Sequence, residues 1–264
     1  MAASSDHAPQ EPPFAPLATL CCAVRFLTVV PVGWQADKDG QLFPRCVFFF
    51  GVVGLLIGGV GSLLCQLAAL LLPTGAVVFL AILFLSGISG FLHLDGLGDS
   101  ADGLLSARPR ARSLEIMKDS RTGAMAVVVL VLVLLGKYAA LSSVADQHLA
   151  LVVFCMPLAG RTAIVITMAC QPYARAEGGI GALFYSTRTR YAAGVGLLVL
   201  LGAGAVAGGL ETMAVVLLVV SFTVCWFGMF CRKRLGGVTG DTLGAVCELT
   251  EMSVALGLAS LFGP

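Results

Sequence analysis

Residues 91–125 read FLHLDGLGDSADGLLSARPRARSLEIMKDSRTGAM and lie between two long apolar runs. The stretch holds five of the chain's 15 acidic residues and five of its 16 basic ones. Asp95, Asp99 and Asp102 fall at i, i+4 and i+7, which on a helix places three carboxylates within an arc of roughly 60°. Three like charges on one face repel unless a cation lies between them. Their oxygens are hard donors, suited to Mg²⁺ or Mn²⁺ shared with substrate phosphates. Gly96, Gly98 and Gly103 interleave the acids, at a cost in helix propensity that suggests close approach by a ligand or a neighbouring backbone. The same composition describes a solvated loop. The flanking apolar segments and the basic cluster behind the acids favour a metal–phosphate site. His93 lies off the acidic face and reads either as a structural histidine or as a catalytic one.

Working outward, the chain has 264 residues, of which 58% are hydrophobic and only 12% charged, with a mean hydropathy of +0.96. A globular domain carries about 25% charged residues, so the expected fold is an all-α polytopic membrane helix bundle. A net charge of +1 says nothing by itself about nucleic acid, and with no basic domain or aromatic-interleaved patch in the sequence no nucleic-acid partner is expected. The nine cysteines form no CxxC pair, and they read as small hydrophobes rather than metal or disulfide frameworks. Residues 1–14 are polar and Pro-rich and read as a disordered tail; residues 15–264 read as one membrane-embedded catalytic domain. Seven spans are expected, at 46–72, 75–94, 124–145, 149–170, 191–208, 212–230 and 245–262. A short helix within 15–32, with Arg25 in its middle, is interfacial or partly buried. The Gly-rich middle of 46–72 suits close helix packing.

The connections alternate. Those at 73–74, 146–148 and 209–211 carry no Lys or Arg, whereas 33–45, 95–123, 171–190 and 231–241 carry thirteen of the sixteen. The positive-inside rule places the basic set, and the acidic motif with it, in the cytoplasm.

A second acidic group follows the basic run, in LGGVTGDTLGAVCELTE. Asp241, Glu248 and Glu251 span an arc of roughly 80° on one helix. Acids in a membrane segment bind a ligand or metal, or pair with cations; Arg161 and Lys137 are the available partners. Gly236, Gly237, Thr239 and Gly240 resemble a phosphate-cradling turn before a helix N-terminus. Lys118 and Arg121 are candidate phosphate clamps or ordinary topological charges. Arg108, Arg110 and Arg112 read as topological.

HLDGLGDSADGLL, LEIMKDSRTGA and LGGVTGDTLGAVCELTE together resemble the signatures of the cobalamin synthase (adenosylcobinamide-GDP ribazoletransferase) family, and FLTVVPV and FPRCVFFFGVVGLLIG resemble its opening. The resemblance runs from about residue 17 to the C-terminus. The chain departs from the family pattern at Gly98 and Ser100, where the pattern has Ala and Thr, and at Val29, where a basic residue is common. The resemblance implies a multi-pass enzyme of the bacterial inner membrane, dependent on Mg²⁺ and working on the cytoplasmic side. It implies joining of adenosylcobinamide-GDP to α-ribazole or α-ribazole 5′-phosphate, giving adenosylcobalamin or its 5′-phosphate and GMP, the last step of nucleotide-loop assembly. Its partners would be these substrates and the lipid bilayer, with room for association with other cobalamin-assembly enzymes.

On that reading Asp95, Asp99 and Asp102 hold one or two Mg²⁺ on the diphosphate. Lys118, Arg121, Gly237 and Thr239 bind phosphate. Asp241, with Glu248, binds a second metal or takes the hydroxyl proton, with His93 and Asp119 as rival bases. Two rivals compete with the family reading. One is another membrane diphosphate enzyme of the CDP-alcohol phosphotransferase or prenyltransferase type, whose aspartate patterns are absent here. The other is an ion-coupled transporter.

Overall fold

The computed structural model describes residues 15–263, and the tail expected at 1–14 lies outside them. The helices are α1 (Pro16–Leu27), α2 (Asp39–Cys46), α3 (Phe50–Ala69), α4 (Thr74–Gly87), α5 (Leu92–Leu105), α6 (Arg110–Ile116), α7 (Ala124–Ser142), α8 (Asp146–Cys170), α9 (Thr189–Leu235) and α10 (Gly240–Phe262). Among the described residues there is no strand, only one isolated parallel bridge between Tyr173 and Val238. The protein is an all-α, multi-pass membrane protein.

Among the described residues five helices are long and apolar enough to cross a bilayer, or six if α4 and α5 count as one broken span. Seven spans were expected, and α9 accounts for part of the difference. A straight helix of its 47 residues would run about 70 Å, more than twice a hydrocarbon core of ~30 Å. Gly209, at φ 75° and ψ −177°, interrupts it. Gly196 packs on Gly51 at the start of α3, and Gly228 packs on Gln171 just past the end of α8. Both outer ends of α9 therefore lie at one side of the bundle. Residues 189–208 and 210–235 are two arms of a hairpin, folded where the sequence placed the 209–211 connection.

The other difference is a correction. The span expected over 75–94 ends at Gly87; α4 has 14 residues, about 21 Å, and is too short to cross alone. The chain breaks at residues 88–91, where Gly90 (φ 59°) and Phe91 (φ 60°) take left-handed conformations, and α5 leaves at 83° to α4. Val29 N donates to Ile88 O (2.8 Å), so the N-terminal FLTVVPV segment braces the break. The 12-residue α1 is too short to span and buries one face, with Ala18, Cys22, Ala23 and Leu27 inward. Arg25, left as a mid-segment cation by the sequence, clamps the following turn through Asp39 (Nε–Oδ2 2.8 Å) and the carbonyls of Val32 and Trp34.

The axis of the bundle is α8, with 78% of its apolar window buried against 28% for α7. It packs on α3, α9 and α10. A methyl group on Gly54 would lie 2.6 Å from Pro157 O and one on Gly58 2.3 Å from Phe154 O. The two backbones touch there, as the glycine-rich sequence of 46–72 led one to expect.

At one end of the bundle Thr74 Oγ1 donates to Asp146 Oδ1 (2.9 Å), Ala145 N donates to Phe262 O (2.9 Å), and His148 stacks on Phe262. At the other end the basic connections meet. Arg110 donates to Leu235 O (2.6 Å) and Ala174 O (2.8 Å), Arg234 donates to Leu104 O (3.1 Å), and residues 172–174 pair with Val238. Arg110, which the sequence assigned to topology, ties three connections together by satisfying carbonyls past helix ends.

Candidate active site

The two acidic motifs meet where α5 crosses α10. A methyl group on Gly96 would lie 2.7 Å from Asp241 O, and one on Gly244 would lie 3.2 Å from His93 Cα and O. These glycines let the helices touch and so bring Asp95 and Asp241 to one cavity of about 280 Å³ at the basic end. Thr239 fixes the first turn of α10 through a capping box: its Oγ1 accepts from Thr242 N (3.3 Å), and Thr242 Oγ1 accepts from Thr239 N (2.8 Å).

The cavity has two halves. Its polar half carries His93, Asp95, Tyr173, Arg175 and Asp241. Its apolar half carries Phe26, Phe50 and Phe184, with the Phe26 and Phe184 rings 4.7 Å apart. Arg175 Nη2 donates to Asp241 Oδ2 (2.7 Å). Burial raises the Tyr173 hydroxyl above its ordinary pKa, so it is a neutral hydrogen-bond donor at neutral pH. His93 is buried, and its Nδ1 has no partner among the described residues.

Asp95 also lines a second cavity of about 260 Å³ between α5 and α7, with Asp99, Asp102 and Thr122. Asp99 lies within electrostatic range of Asp95, Asp102 and Asp241. Among the described residues no hydrogen bond reaches the carboxylates of Asp95 and Asp99.

Several residues expected at the site do other work. Asp102 caps α7: Oδ2 accepts from Gly123 N (2.7 Å) and Oδ1 from Ala126 N (2.9 Å). The N-cap of α7, Gly123, has no side chain to do this, so a carboxylate from α5 satisfies the orphan donors. Glu248, expected beside Asp241 as a metal ligand, is buried elsewhere. Lys137 Nζ lies 2.7 Å from Glu248 and 2.6 Å from Glu251, and Arg161 also pairs with Glu251. The alternative of pairing with Lys137 and Arg161 is the one found, because about two helical turns carry Glu248 away from Asp241 and the basic end into the bundle, where an unpaired charge is costly.

Gly237 does not cradle an open turn either. A methyl there would lie 2.2 Å from Pro172 O, and Thr239 is fully buried, its Oγ1 accepting from Thr242 N in the cap and donating to Asp241 Oδ2 (3.2 Å). Lys118 pairs with Glu177 and Arg121 with Asp119 (2.6 Å), all on the exposed surface. The guanidinium of Arg121 holds the Asp119 carboxyl down to about 2, and Lys118 lowers that of Glu177. Neither cation lines either cavity.

Arg175 and the aromatic wall were not singled out in the sequence. Arg175 sits in QPYARAEGG, where only its neighbours in space distinguish it from a topological charge.

The donor chemistry fits a hard divalent cation: Asp95, Asp99 and Asp241 offer carboxylate oxygens, and the first two have none of theirs engaged. Among the described residues no three acidic, His or Cys side chains converge on a single point. An ion here would be held by one or two carboxylates and completed by substrate phosphate oxygens and water, which is the usual manner for Mg²⁺.

The cobalamin-5-phosphate synthase family model matches residues 19–259. The chain is 42% identical over 241 residues to the adenosylcobinamide-GDP ribazoletransferase of Pseudomonas putida strain GB-1, covering 90% of this chain and 96% of that protein. It is 39% identical over 237 residues to the enzyme of that name in Desulforamulus reducens (89% and 93%). It is 30% identical over 247 residues to the one in Clostridium novyi (94% and 98%). No solved structure matches. The chain thus belongs to the cobalamin-5-phosphate synthase family and is a transferase of the adenosylcobinamide-GDP ribazoletransferase type.

Proposed function

We propose that the cavity between α5 and α10 joins adenosylcobinamide-GDP to α-ribazole, or to its 5′-phosphate, with release of GMP. It does so on the cytoplasmic side of the bacterial inner membrane and requires Mg²⁺. The observation that carries this reading is the convergence of Asp95, Asp241 and Arg175 on a cavity whose other half is aromatic. The polar half suits a diphosphate, and the wall of Phe26, Phe50 and Phe184 suits a flat ring system. The cytoplasmic placement rests on the meeting of the basic connections at this end.

Charge counting supports a cation requirement. Asp95, Asp99 and Asp241 against Arg175 leave two negative charges, and a diphosphate adds more. Asp95 and Asp99 would hold a divalent ion, which would supply charge neutralisation on the diphosphate. The remaining work belongs to the side chains. The reaction forms one bond from a ribose hydroxyl oxygen to phosphorus and breaks one from that phosphorus to the GMP oxygen, so positioning and charge neutralisation dominate. Asp241 is placed to take the hydroxyl proton. His93 lies in the same cavity, whereas Asp119 lies outside it. Lys118 and Arg121 sit in exposed pairs that water and salt weaken, which leaves them able to turn toward an anionic substrate.

The test is turnover by the protein purified in detergent, given adenosylcobinamide-GDP, α-ribazole and Mg²⁺, with and without EDTA. The expected result is metal-dependent GMP release matched by cobalamin formation. GMP without cobalamin would mean a diphosphate hydrolase, and no product from folded protein would reject the reading.

A further inference from the structure

Resting on that function, we infer that Arg175 is the diphosphate-binding cation of the cavity, and that in the substrate-free protein Asp241 occupies its guanidinium in the substrate's place. Three observations carry this. Arg175 is the only Lys or Arg among the described residues lining the cavity. Its guanidinium is half-used: Nη2 donates to Asp241 Oδ2 (2.7 Å), while its buried Nε has no partner among the described residues. Its backbone is anchored immediately before it, since Ala174 N donates to Val238 O (2.8 Å) and Ala174 O accepts from Arg110 (2.8 Å).

A flexible cationic side chain on a fixed base can exchange one anionic partner for another without moving the backbone. A diphosphate offers the guanidinium fork two oxygens in parallel, whereas Asp241 engages it through one oxygen on Nη2 and leaves Nε unused. Departure of Arg175 leaves the Asp241 carboxylate within electrostatic range of Asp95 and Asp99, carboxylates that would hold a divalent ion and so make good the lost positive charge. Substrate entry is therefore a swap of partners at Arg175, and Asp241 competes with substrate for its guanidinium.

The test reads equilibrium binding of adenosylcobinamide-GDP, followed by the absorbance of the corrinoid, to the full-length protein in detergent with EDTA present. Arg175→Ala should weaken binding about tenfold to a hundredfold, the usual range for losing charge-assisted hydrogen bonds, with Arg175→Lys in between. Asp241→Asn, which releases Arg175, should tighten it. The double variant Arg175→Ala/Asp241→Asn should bind like Arg175→Ala alone. If Asp241→Asn tightened binding equally with and without Arg175, general charge removal would explain the effect and the swap would be wrong. With Mg²⁺ restored, Arg175→Ala should raise KM for adenosylcobinamide-GDP while KM for α-ribazole stays within about twofold. An equal rise for both substrates would overturn the assignment. Wild-type protein that neither binds nor turns over adenosylcobinamide-GDP would overturn the functional reading itself; wild-type turnover with an unaltered Arg175→Ala would overturn the clamp alone.

Discussion

Lys137→Met should be among the most destabilising single changes in the bundle. In the native protein Lys137 Nζ lies 2.7 Å from Glu248 and 2.6 Å from Glu251, and Arg161 holds the other oxygen of Glu251. These two cations and two carboxylates sum to zero charge, and none of their side chains is more than 4% exposed. At 2.7 Å the attraction of one pair is about 6 kcal/mol for an effective dielectric of ~20. Desolvation offsets part of that, and breaking a buried pair by removing one partner costs about 3–5 kcal/mol. In the variant Glu251 keeps Arg161, but Glu248 loses its partner. Thermal unfolding in detergent, followed by circular dichroism, should show the midpoint falling by about 10 °C, taking ~2–4 °C per kcal/mol for a chain of this size. Lys137→Met/Glu248→Gln removes the orphaned charge as well and should recover most of the loss. A double variant melting no higher than the single would refute the reasoning, because the cost would then lie in packing around the lysine stem rather than in the unpaired carboxylate.

Other substitutions separate scaffold from site. Asp99→Asn is nearly isosteric and should abolish turnover while leaving the melting midpoint within about 2 °C; wild-type turnover would remove Asp99 from the chemistry. Asp102→Ala strips the acceptor from two backbone donors at the start of α7 and should cost about 1–2 kcal/mol, read as a lower midpoint; an unchanged midpoint with lost turnover would return Asp102 to the metal set. Gly58→Ala should gain about 1 kcal/mol from helix propensity, yet its methyl would lie 2.3 Å from Phe154 O. A net fall in the midpoint is therefore expected, and a rise would mean that α3 and α8 separate freely.

The fold was largely legible because hydropathy and charge act locally. Apolar runs of the right length mark spans, and the bare connection at 209–211 marked a turn that the backbone makes at Gly209. The break after α4 was not legible, because LSGISGFLHL is continuous in hydropathy. Only the left-handed pair Gly90 and Phe91, braced by Val29, ends the helix there. The site divides the same way. Helical periodicity placed Asp95, Asp99 and Asp102 on one face, and α5 is helical. It could not say which of them meets a backbone donor on a different helix.

What distinguishes a site carboxylate from a scaffold carboxylate is whether the chain itself answers its charge, and the answer comes from far away in sequence. Glu248 is met by Lys137, 111 residues earlier, and Glu251 by Arg161, 90 residues earlier. Asp241 is met by Arg175, 66 residues earlier, and Asp102 by amides 21 and 24 residues later. No period of 3.6 residues encodes such distances, so identical acids in similar patterns come to opposite uses. Once those pairings are subtracted, Asp95 and Asp99 are left with carboxylates that no donor in the described chain reaches, at the end of the bundle where the basic connections meet. Asp241 differs from the scaffold acids in a second respect: its partner, Arg175, lies on the cavity rather than inside the packed bundle, so its pairing can be undone without opening the core. The acids whose charge must be met from outside the chain, and the one whose internal partner can be drawn away, are therefore the three proposed to face the substrate.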